Sequence, residues 1–439
     1  MRAWILLVSA STAFAAFAAC ATSDETGPEH ASPPEDAAVP TVPEAAPSDA
    51  ASDVEIDAAV PICSEAGWCT TSLPDRDLMM KDIWPLPGRA FAIAESTTLG
   101  VKVLEWRDQD AAWKYIDDNT QNQLDGNYAG AIWAPNDDTV YYAAASYIYR
   151  GTRLLPPATG WSWSRQRLED NSHVGDPAHA AHDHGRPRNP GTVEDYPALG
   201  VWGIDANDVY AWYSNTVYHW KSEDGGAPSW VAEYVADDPD EESEHLFFVS
   251  AAGSGADDVW FAGVRNQTWN IGAHFGNCPF LVRKTPGGFA RVADGVPPAG
   301  LGSCAERGGL PRVGGDVGWL KDIQSTAPGA ITGLKAASEI VQISAEGVTV
   351  SVNPVPKLGA VNNPGTELRS FWRSSSDAWL TAWGVVIRGR ETGDGGTYAI
   401  SPLSLDGAPT RTVMHRVRGT SDTNLWAIGN GYAFHKTTP

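Results

Sequence analysis

The sequence predicts an all-β fold built from seven copies of one unit. The first observation is composition: the 439 residues include 44 glycines, 31 prolines and 19 tryptophans, and long apolar segments with helical period are missing. Short aromatic segments separated by turn residues are typical of many short strands. The second observation is an internal repeat. A chain of this length could form two or three average domains, but a repeat fold often uses it for one.

The repeated unit is an apolar strand, a turn that contains Asp or Asn, and a second strand of Val-Trp/Tyr-Ala character. The clearest copies are AIWAPNDDTVYYAA (131–144), GVWGIDANDVYAWY (200–213) and VSAAGSGADDVWFAG (249–263). Weaker copies occupy 82–96, 322–336, 370–384 and 416–430. Anchor positions lie near 84, 133, 202, 252, 324, 371 and 418, so four of the six spacings are close to 50 residues and the two longer ones contain insertions.

Two further strands are expected in each copy. Third strands are predicted at 147–151, 215–220, 280–284 and 384–389, and fourth strands at 113–116, 161–168 and 230–235. A repeat of roughly 40–50 residues with four strands is typical of a propeller blade. One such sheet cannot bury both faces alone, whereas blades stacked around an axis bury them against each other. The sequence therefore predicts a seven-bladed β-propeller of four-stranded antiparallel blades.

The two ends of the repeat region complement each other. The last copy has only three predicted strands, and the segment GWCTTSLPD (67–75) precedes the first complete copy. We infer that this N-terminal strand completes the last blade, which closes the ring and removes an exposed edge.

The N-terminal region predicts export. Arg2 precedes an apolar run (3–19) that ends directly before Cys20, and Phe17-Ala18-Ala19-Cys20 resembles a bacterial lipoprotein signal, which implies lipidation of Cys20. The alternative is an ordinary secretory signal that is cut near Ala16-Phe17-Ala18. Three regions are expected: a signal at 1–20, a tether at 21–60 and the propeller at 61–439.

The tether has ten acidic residues and no Lys, Arg or aromatic residue. Such a segment buries too little apolar surface to fold, and its charges extend it, so we expect a disordered spacer. The whole chain carries a net charge of −23. It has no basic stripe, so the sequence argues against nucleic-acid binding. Contact with a membrane is expected through lipidated Cys20.

The cysteine count also favours an oxidising compartment. If Cys20 carries lipid, four cysteines remain, and the economical pairs are Cys63 with Cys69 and Cys278 with Cys304. Neither pair has the C-x-x-C spacing of a redox or zinc motif.

As an architecture, the repeats resemble those of WD, kelch and sialidase-like propellers. The words GSGADDVWFAG and VWGIDANDVYAW are similar to the degenerate propeller repeats of lipoproteins from myxobacteria and their relatives. The Gly-His…Trp-Asp signature of WD repeats and the Ser-x-Asp-x-Gly-x-x-Trp box of sialidases are missing. The resemblance implies an extracytoplasmic protein that is either anchored in the bacterial cell envelope, at the outer membrane, or secreted. It supplies no catalytic residue.

Two insertions carry the candidate site residues. The first (171–196) is rich in histidine, and its predicted metal ligands are His179, His182 and His184; the alternative is a solvated loop. The second (265–318) holds Cys278 and Cys304, with candidate ligand contacts at Trp269, His274 and Phe275; the alternative is a loop packed by its own side chains. The acidic stretch 237–244 is expected to be a solvated connection rather than a calcium site.

The sequence contains no nucleophile elbow, phosphate loop or zinc-protease motif, and we expect no cofactor and no catalytic residue from its motifs. The favoured function is a binding scaffold for an envelope protein or a glycan. The alternative is a polysaccharide hydrolase or lyase with carboxylates around the central channel, because such pairs need only the right spacing in three dimensions. A purely structural envelope protein is the third possibility.

Overall fold

A computed structural model shows seven four-stranded antiparallel sheets arranged in a ring. The structure describes residues 63–123, 128–171, 199–222, 225–237, 244–268, 275–298, 302–336, 338–346, 349–355, 367–390, 397–404 and 410–438. These residues belong to one unit, Ala59–Pro439. Cys20, the predicted signal and the predicted tether lie outside the described residues.

Strand β1 (Trp68–Thr71) comes first in the chain but belongs to the last blade. Blade 1 contains β2 (Met79–Leu86), β3 (Arg89–Ser96), β4 (Gly100–Arg107) and β5 (Ala112–Tyr115) and is followed by a 3-10 turn, Thr120–Gln123. Blade 2 contains β6 (Ala129–Asn136), β7 (Thr139–Ala144), β8 (Tyr147–Arg153) and β9 (Trp161–Arg167). Blade 3 contains β10 (Leu199–Asp205), β11 (Asp208–Tyr213), β12 (Thr216–Lys221) and β13 (Ser229–Val235).

Blade 4 contains β14 (Glu244–Gly255), β15 (Asp258–Thr268), β16 (Phe275–Thr285) and β17 (Gly288–Ala293), and a small pair, β18 (Gly295–Val296) and β19 (Ala305–Glu306), follows it. Blade 5 contains β20 (Leu320–Ala327), β21 (Ala330–Lys335), β22 (Glu339–Ser344) and β23 (Thr349–Pro354). Blade 6 contains β24 (Ser370–Arg373), β25 (Ala378–Ala382), β26 (Val385–Arg390) and β27 (Thr397–Ser401). Blade 7 contains β28 (Met414–Ser421), β29 (Asn424–Gly429), β30 (Tyr432–Lys436) and β1.

The predicted ring closure is confirmed. Strand β1 pairs antiparallel with β30, with Trp68 opposite Lys436 and Thr71 opposite Ala433. The Trp68 side chain is fully buried, and its indole Nε1 donates a hydrogen bond to Ser401 Oγ of blade 6 at 2.9 Å. The N-terminal strand therefore both completes blade 7 and packs against blade 6.

The blades are held together by apolar side chains on their facing surfaces. A buried hydrophobic cluster lies between each pair of neighbouring blades, including the pair formed by blades 7 and 1. Trp106 and Trp113 of blade 1, for example, pack edge-on against Trp426 of blade 7 with ring centroids 5.5 and 5.3 Å apart. Much of the tryptophan content thus serves inter-blade packing.

The repeated Asp or Asn residues between the first and second strands stabilise the turn and also contact side chains of the third strand. Asp205 Oδ1 accepts a hydrogen bond from the backbone N–H of Asn207 at 2.8 Å, which is the turn chemistry expected of short polar residues. The carboxylates that open the second strands contact basic side chains on the third strands: Asp208 contacts His219 at 2.9 Å and Asp258 contacts Arg283 at 2.8 Å. These two side chains also lie over second-strand aromatic rings, His219 at 4.3 Å from Tyr210 and Arg283 at 5.1 Å from Trp260.

The described part of the second insertion is packed down by its own side chains, the alternative left open by the sequence. Cys278 and Cys304 form a buried disulfide. Beside it, the fully buried guanidinium of Arg265 pairs with Glu244 at 2.7 Å and with Asp294 at 3.0 Å. Glu244 was predicted to end a solvated connection and is instead buried, because the first strand of blade 4 begins with it.

The ring has two distinct faces. We call the side with the turns between first and second strands the hairpin face, and the opposite side, with the connections between blades, the connection face. The strands that flank both insertions end on the connection face. No helix in the described part of the chain is long and apolar enough to cross a membrane.

Candidate ligand-binding site

The first strands of the seven blades surround the axis and end on the hairpin face around a cavity of about 520 Å³, here called the axial pocket. Strand register identifies one matched position in each blade, opposite the third residue of the second strand in most copies. The seven side chains at this position line the pocket: Trp84, Trp133, Trp202, Ala252, Gln324, Trp372 and Arg418. The seven matched positions are therefore equivalent in the fold, but their side chains differ in chemistry.

Blades 1 to 3 give the pocket an aromatic wall. Trp84 and Trp133 meet edge-to-face with ring centroids 6.3 Å apart. The Trp133 and Trp202 rings each lie against a glycine of the following blade. An added Cβ at Gly203 would stand 2.7 Å from Trp133 Cη2, and one at Gly253 would stand 2.8 Å from Trp202 Cη2. Glycine at these positions permits the close approach of the ring to the neighbouring strand.

The opposite side of the pocket is more polar. Gln324 and Ser325 of blade 5 and Thr420 of blade 7 line it. Gln324 Oε1 accepts a hydrogen bond from the backbone N–H of Arg373 at 2.9 Å, which orients the amide. The small residue Ala252 leaves room at blade 4. This side also contains Phe371 and Trp372 of blade 6, so the pocket has an aromatic wall at blades 1 to 3 and a mixed side that carries its hydrogen-bonding groups.

Arg418 is the exposed charge of the pocket. Its guanidinium lies 5.1 Å from the centre of the Trp84 ring, and its nearest carboxylate oxygen, Asp82 Oδ1, is 3.8 Å away. About 23% of its side chain is exposed, and it makes no hydrogen bond to any residue that the structure describes. Loss of water around the guanidinium lowers the pKa of Arg418, with the neighbouring Arg416 acting in the same direction and Asp82 and Asp322 opposing both.

Beneath the matched position, polar side chains connect successive blades. Four of these side chains each accept a hydrogen bond from a backbone N–H in the first strand of the next blade. The acceptors are Asp82 (from Ile132, 3.0 Å), Ser250 (from Ile323, 3.3 Å), Asp322 (from Phe371, 3.0 Å) and Ser370 (from Val417, 3.2 Å). Arg416 lies between the two carboxylates: its Nε is 3.1 Å from Asp82 Oδ1, and its Nη1 pairs with Asp322 Oδ1.

The floor of the pocket is thus an ion-pair network. Three of the four carboxylate oxygens of Asp82 and Asp322 accept a hydrogen bond, whereas Asp82 Oδ1 accepts none from the described residues and lies 3.1 Å from Arg416 Nε. Burial raises the pKa of Asp322, but Arg416 and Arg418 outweigh burial and hold that pKa below its usual value. A carboxylate that stays ionised and fully paired is a structural link rather than a proton donor.

The structure confirms both predicted disulfides, Cys63–Cys69 and Cys278–Cys304. His179, His182, His184, Trp269 and His274 lie outside the described residues, and Phe275 is described only as the first residue of β16. Within the described ranges, no three His, Cys, Asp or Glu side chains are placed to hold a metal ion. The predicted metal and contact residues therefore remain predictions.

The sequence did not single out the axial pocket. In the sequence its anchor positions mark only the first strands, whereas Trp84, Trp202 and Trp372 are each partly exposed to the cavity. The signal that could have found them is the alignment of the copies, since equivalent residues of the first strands must surround the axis of a ring.

No protein-family model and no curated protein sequence matches this chain. The chain is a seven-bladed β-propeller. Among solved structures it is similar to YCF48 bound to D1 peptide, with 12% identity, 87% of this chain and 99% of that chain covered, and a TM-score of 0.50. YCF48 from Cyanidioschyzon merolae (13% identity, 85% and 99% covered, TM-score 0.48) and a PL25 polysaccharide lyase, ulvan lyase (9% identity, 84% and 93% covered, TM-score 0.46), are similar as well. At these identities the likeness is one of fold.

Proposed function

We propose that this propeller binds a glycan in the axial pocket. The observation that carries the proposal is the combination of an aromatic wall at blades 1 to 3 with an opposite side, here called the polar wall, on which Gln324, Ser325 and Thr420 flank Trp372. A sugar ring has the matching chemistry, because its C–H faces are apolar while its hydroxyl groups form hydrogen bonds at the ring edge. Partly exposed tryptophan faces and a few fixed polar groups are what orients such a ligand.

The size and shape of the cavity favour a small ligand over a protein surface. Its volume of about 520 Å³ lies within the range of roughly 300–1,000 Å³ that is usual for small-molecule sites. A stable protein partner would need about 800 Å² on each side, mostly on a flatter surface. One or a few sugar units of a longer chain are therefore the expected occupants.

Binding is favoured over hydrolysis or elimination. A polysaccharide-cleaving enzyme needs carboxylates that can give or take a proton near the bond to be cleaved. The carboxylates at this pocket, Asp82 and Asp322, have little exposure, and three of their four oxygens accept hydrogen bonds from Arg416 or backbone N–H groups. Asp322 and Arg418 both line the cavity, and Arg418 is the more exposed of the two.

The proposed location is outside the cytoplasm, in the cell envelope of a bacterium. The two disulfides support this location, since such bonds persist in oxidising compartments. The lipoprotein-like segment that ends at Cys20 and the resemblance to lipoprotein propellers support attachment through a lipid at that residue. In a bacterial host, the full chain is expected in the membrane fraction and Cys20→Ala in the soluble or uncleaved fraction; equal membrane retention of both would contradict the anchor.

The glycan proposal is tested by screening the chain from residue 21 onward on arrays of glycans and of peptides. We expect retention of a set of glycans, and roughly tenfold or greater weakening in Trp202→Leu, whose ring partly lines the pocket. Trp383→Leu is the matched control, because Trp383 is 52% exposed and lies in a turn of the connection face. Retention of peptides with no glycan, or equal weakening by both variants, would show that the proposed function is wrong.

A further inference from the structure

We infer that the glycan carries a carboxylate and that Arg418 binds it. This inference rests on the proposed function and specifies its ligand as an acidic glycan with a uronic-acid type of residue. The residue in question lies on the first strand of blade 7, at the boundary between the polar wall and Trp84.

The first argument is the unused hydrogen-bonding capacity of Arg418. A guanidinium carries five N–H donors, and those of Arg418 make no hydrogen bond within the part of the chain that the structure describes. The adjacent Arg416 differs, because it is paired with both Asp82 and Asp322. Both arginine side chains are 23% exposed, but Arg416 pairs within the floor, whereas Arg418 lines the pocket and its nearest carboxylate oxygen is 3.8 Å away.

The second argument is position. Arg418 lies over Trp84 at 5.1 Å, so the plane of the guanidinium is restrained beside the aromatic wall. A planar guanidinium held in this way matches a carboxylate through two parallel hydrogen bonds. A sugar ring against the tryptophans would bring an attached carboxylate next to this fork.

The third argument is charge. Asp322 and Arg418 are the charged side chains among the described residues that line the pocket, and about 6% of the Asp322 side chain is exposed against 23% of Arg418. The pocket therefore offers a cation at its surface although the whole chain has a net charge of −23. A cationic ligand would meet Arg418 first and be repelled, whereas an anionic group is attracted.

The test uses matched ligands. Oligomers of galacturonate, of alginate uronates and of glucuronate-containing chains are each presented as the acid and as the carboxyl-reduced neutral sugar, which keeps the linkage and the ring. We expect the wild-type chain to bind at least one acid form ten or more times more tightly than its neutral counterpart. Arg418→Met should reduce that ratio to twofold or less, and Arg418→Lys should retain part of it, because it keeps a charge but not the fork.

Arg390→Met is the matched control. Arg390 belongs to β26 of blade 6, its side chain is 63% exposed, and it does not line the pocket, so this variant should retain the wild-type ratio. Thermal melting of each variant checks folding; should Arg418→Met not fold, Arg418→Lys and the acid-to-neutral ratio of the wild type carry the test.

The outcomes separate the two proposals. Glycan binding with equal affinity for acid and neutral forms would overturn the acidic ligand and leave the glycan function in place. A preference for the acid that survives in Arg418→Met would overturn the role of Arg418. No binding of any glycan, acid or neutral, would overturn the proposed function and the inference with it.

Discussion

Replacing Trp68 by alanine tests the ring closure. This side chain is fully buried between blades 6 and 7, its ring lies edge-on to Trp379 with centroids 5.9 Å apart, and its Nε1 donates to Ser401 Oγ. Loss of a buried tryptophan side chain costs about 3–5 kcal/mol of the free energy of unfolding. An unfolding entropy of about 2.1 cal/mol/K per residue over this unit then gives a fall in melting temperature of roughly 5 °C.

Differential scanning calorimetry and near-ultraviolet circular dichroism measure this change. Trp383→Ala is the matched control, since its 52% exposed ring lies in the turn between β25 and β26 and the expected change is within about 0.5 kcal/mol. A melting temperature of Trp68→Ala within 1 °C of the wild type would refute the closure reasoning, because it would mean that β1 contributes nothing to the unit that unfolds.

Three further predictions address the edge, the glycines and two histidines. Deletion of residues 61–76 removes β1 and leaves β30 as an open edge. We therefore expect loss of the cooperative thermal transition and aggregation on heating, which light scattering measures. An unchanged melting temperature would count against the closed ring. Gly203→Ala should lower the free energy of unfolding by about 1–3 kcal/mol and shift the tryptophan fluorescence, because the new Cβ would press on Trp133. Gly255→Ala is the control: an added Cβ meets open space there, so its urea midpoint should be unchanged or slightly higher. Equal effects of the two variants would contradict the close packing of Gly203. Burial disfavours the charged form of His219, but the hydrogen bonds with Asp208 and Glu233 outweigh burial and raise the pKa of His219. The stabilisation from His219 is therefore complete below the unfolded pKa near 6.5 and is lost as pH rises through the folded pKa. Burial lowers the pKa of His435, so its effect has the opposite slope: its contribution is complete above about 6.5 and is lost as pH falls through the lowered folded value. Urea midpoints of His219→Gln and His435→Gln relative to wild type between pH 5 and 9 should therefore diverge in opposite directions, and parallel curves would refute both assignments.

The blades could be predicted from sequence because their determinants are local. Short apolar segments separated by turn residues define the strands, and the Asp or Asn of 205–208 or 255–258 fixes the hairpin that joins the first two strands. The closure was also predictable, since a three-strand copy at one end and a lone strand at the other leave one arrangement without an open edge.

The axial pocket could not be predicted in the same way. Both sides of a first strand are covered, one by the next sheet and one by the ring centre, so the apolar pattern does not show which tryptophan faces the axis. Trp133 is in fact buried, while Trp202 at the matched position of the next blade is partly exposed. The contact of Arg416 with Asp82 joins residues 334 positions apart, and only the closed ring brings them together.

The variation at the matched position is the strongest reason to assign function to the axis. The propeller needs apolar residues where blades face each other, and all seven interfaces supply them. It has no such need at the axis, where the seven copies carry tryptophan in four blades and Ala252, Gln324 and Arg418 in the others. Tryptophan rings left partly open to a cavity are costly in water and are usual at binding sites. Because the tryptophans of the matched position and Arg418 line one opening on the hairpin face, whereas both insertions are flanked by strands that end on the connection face, a ligand in the pocket would leave the connection face accessible to a second partner.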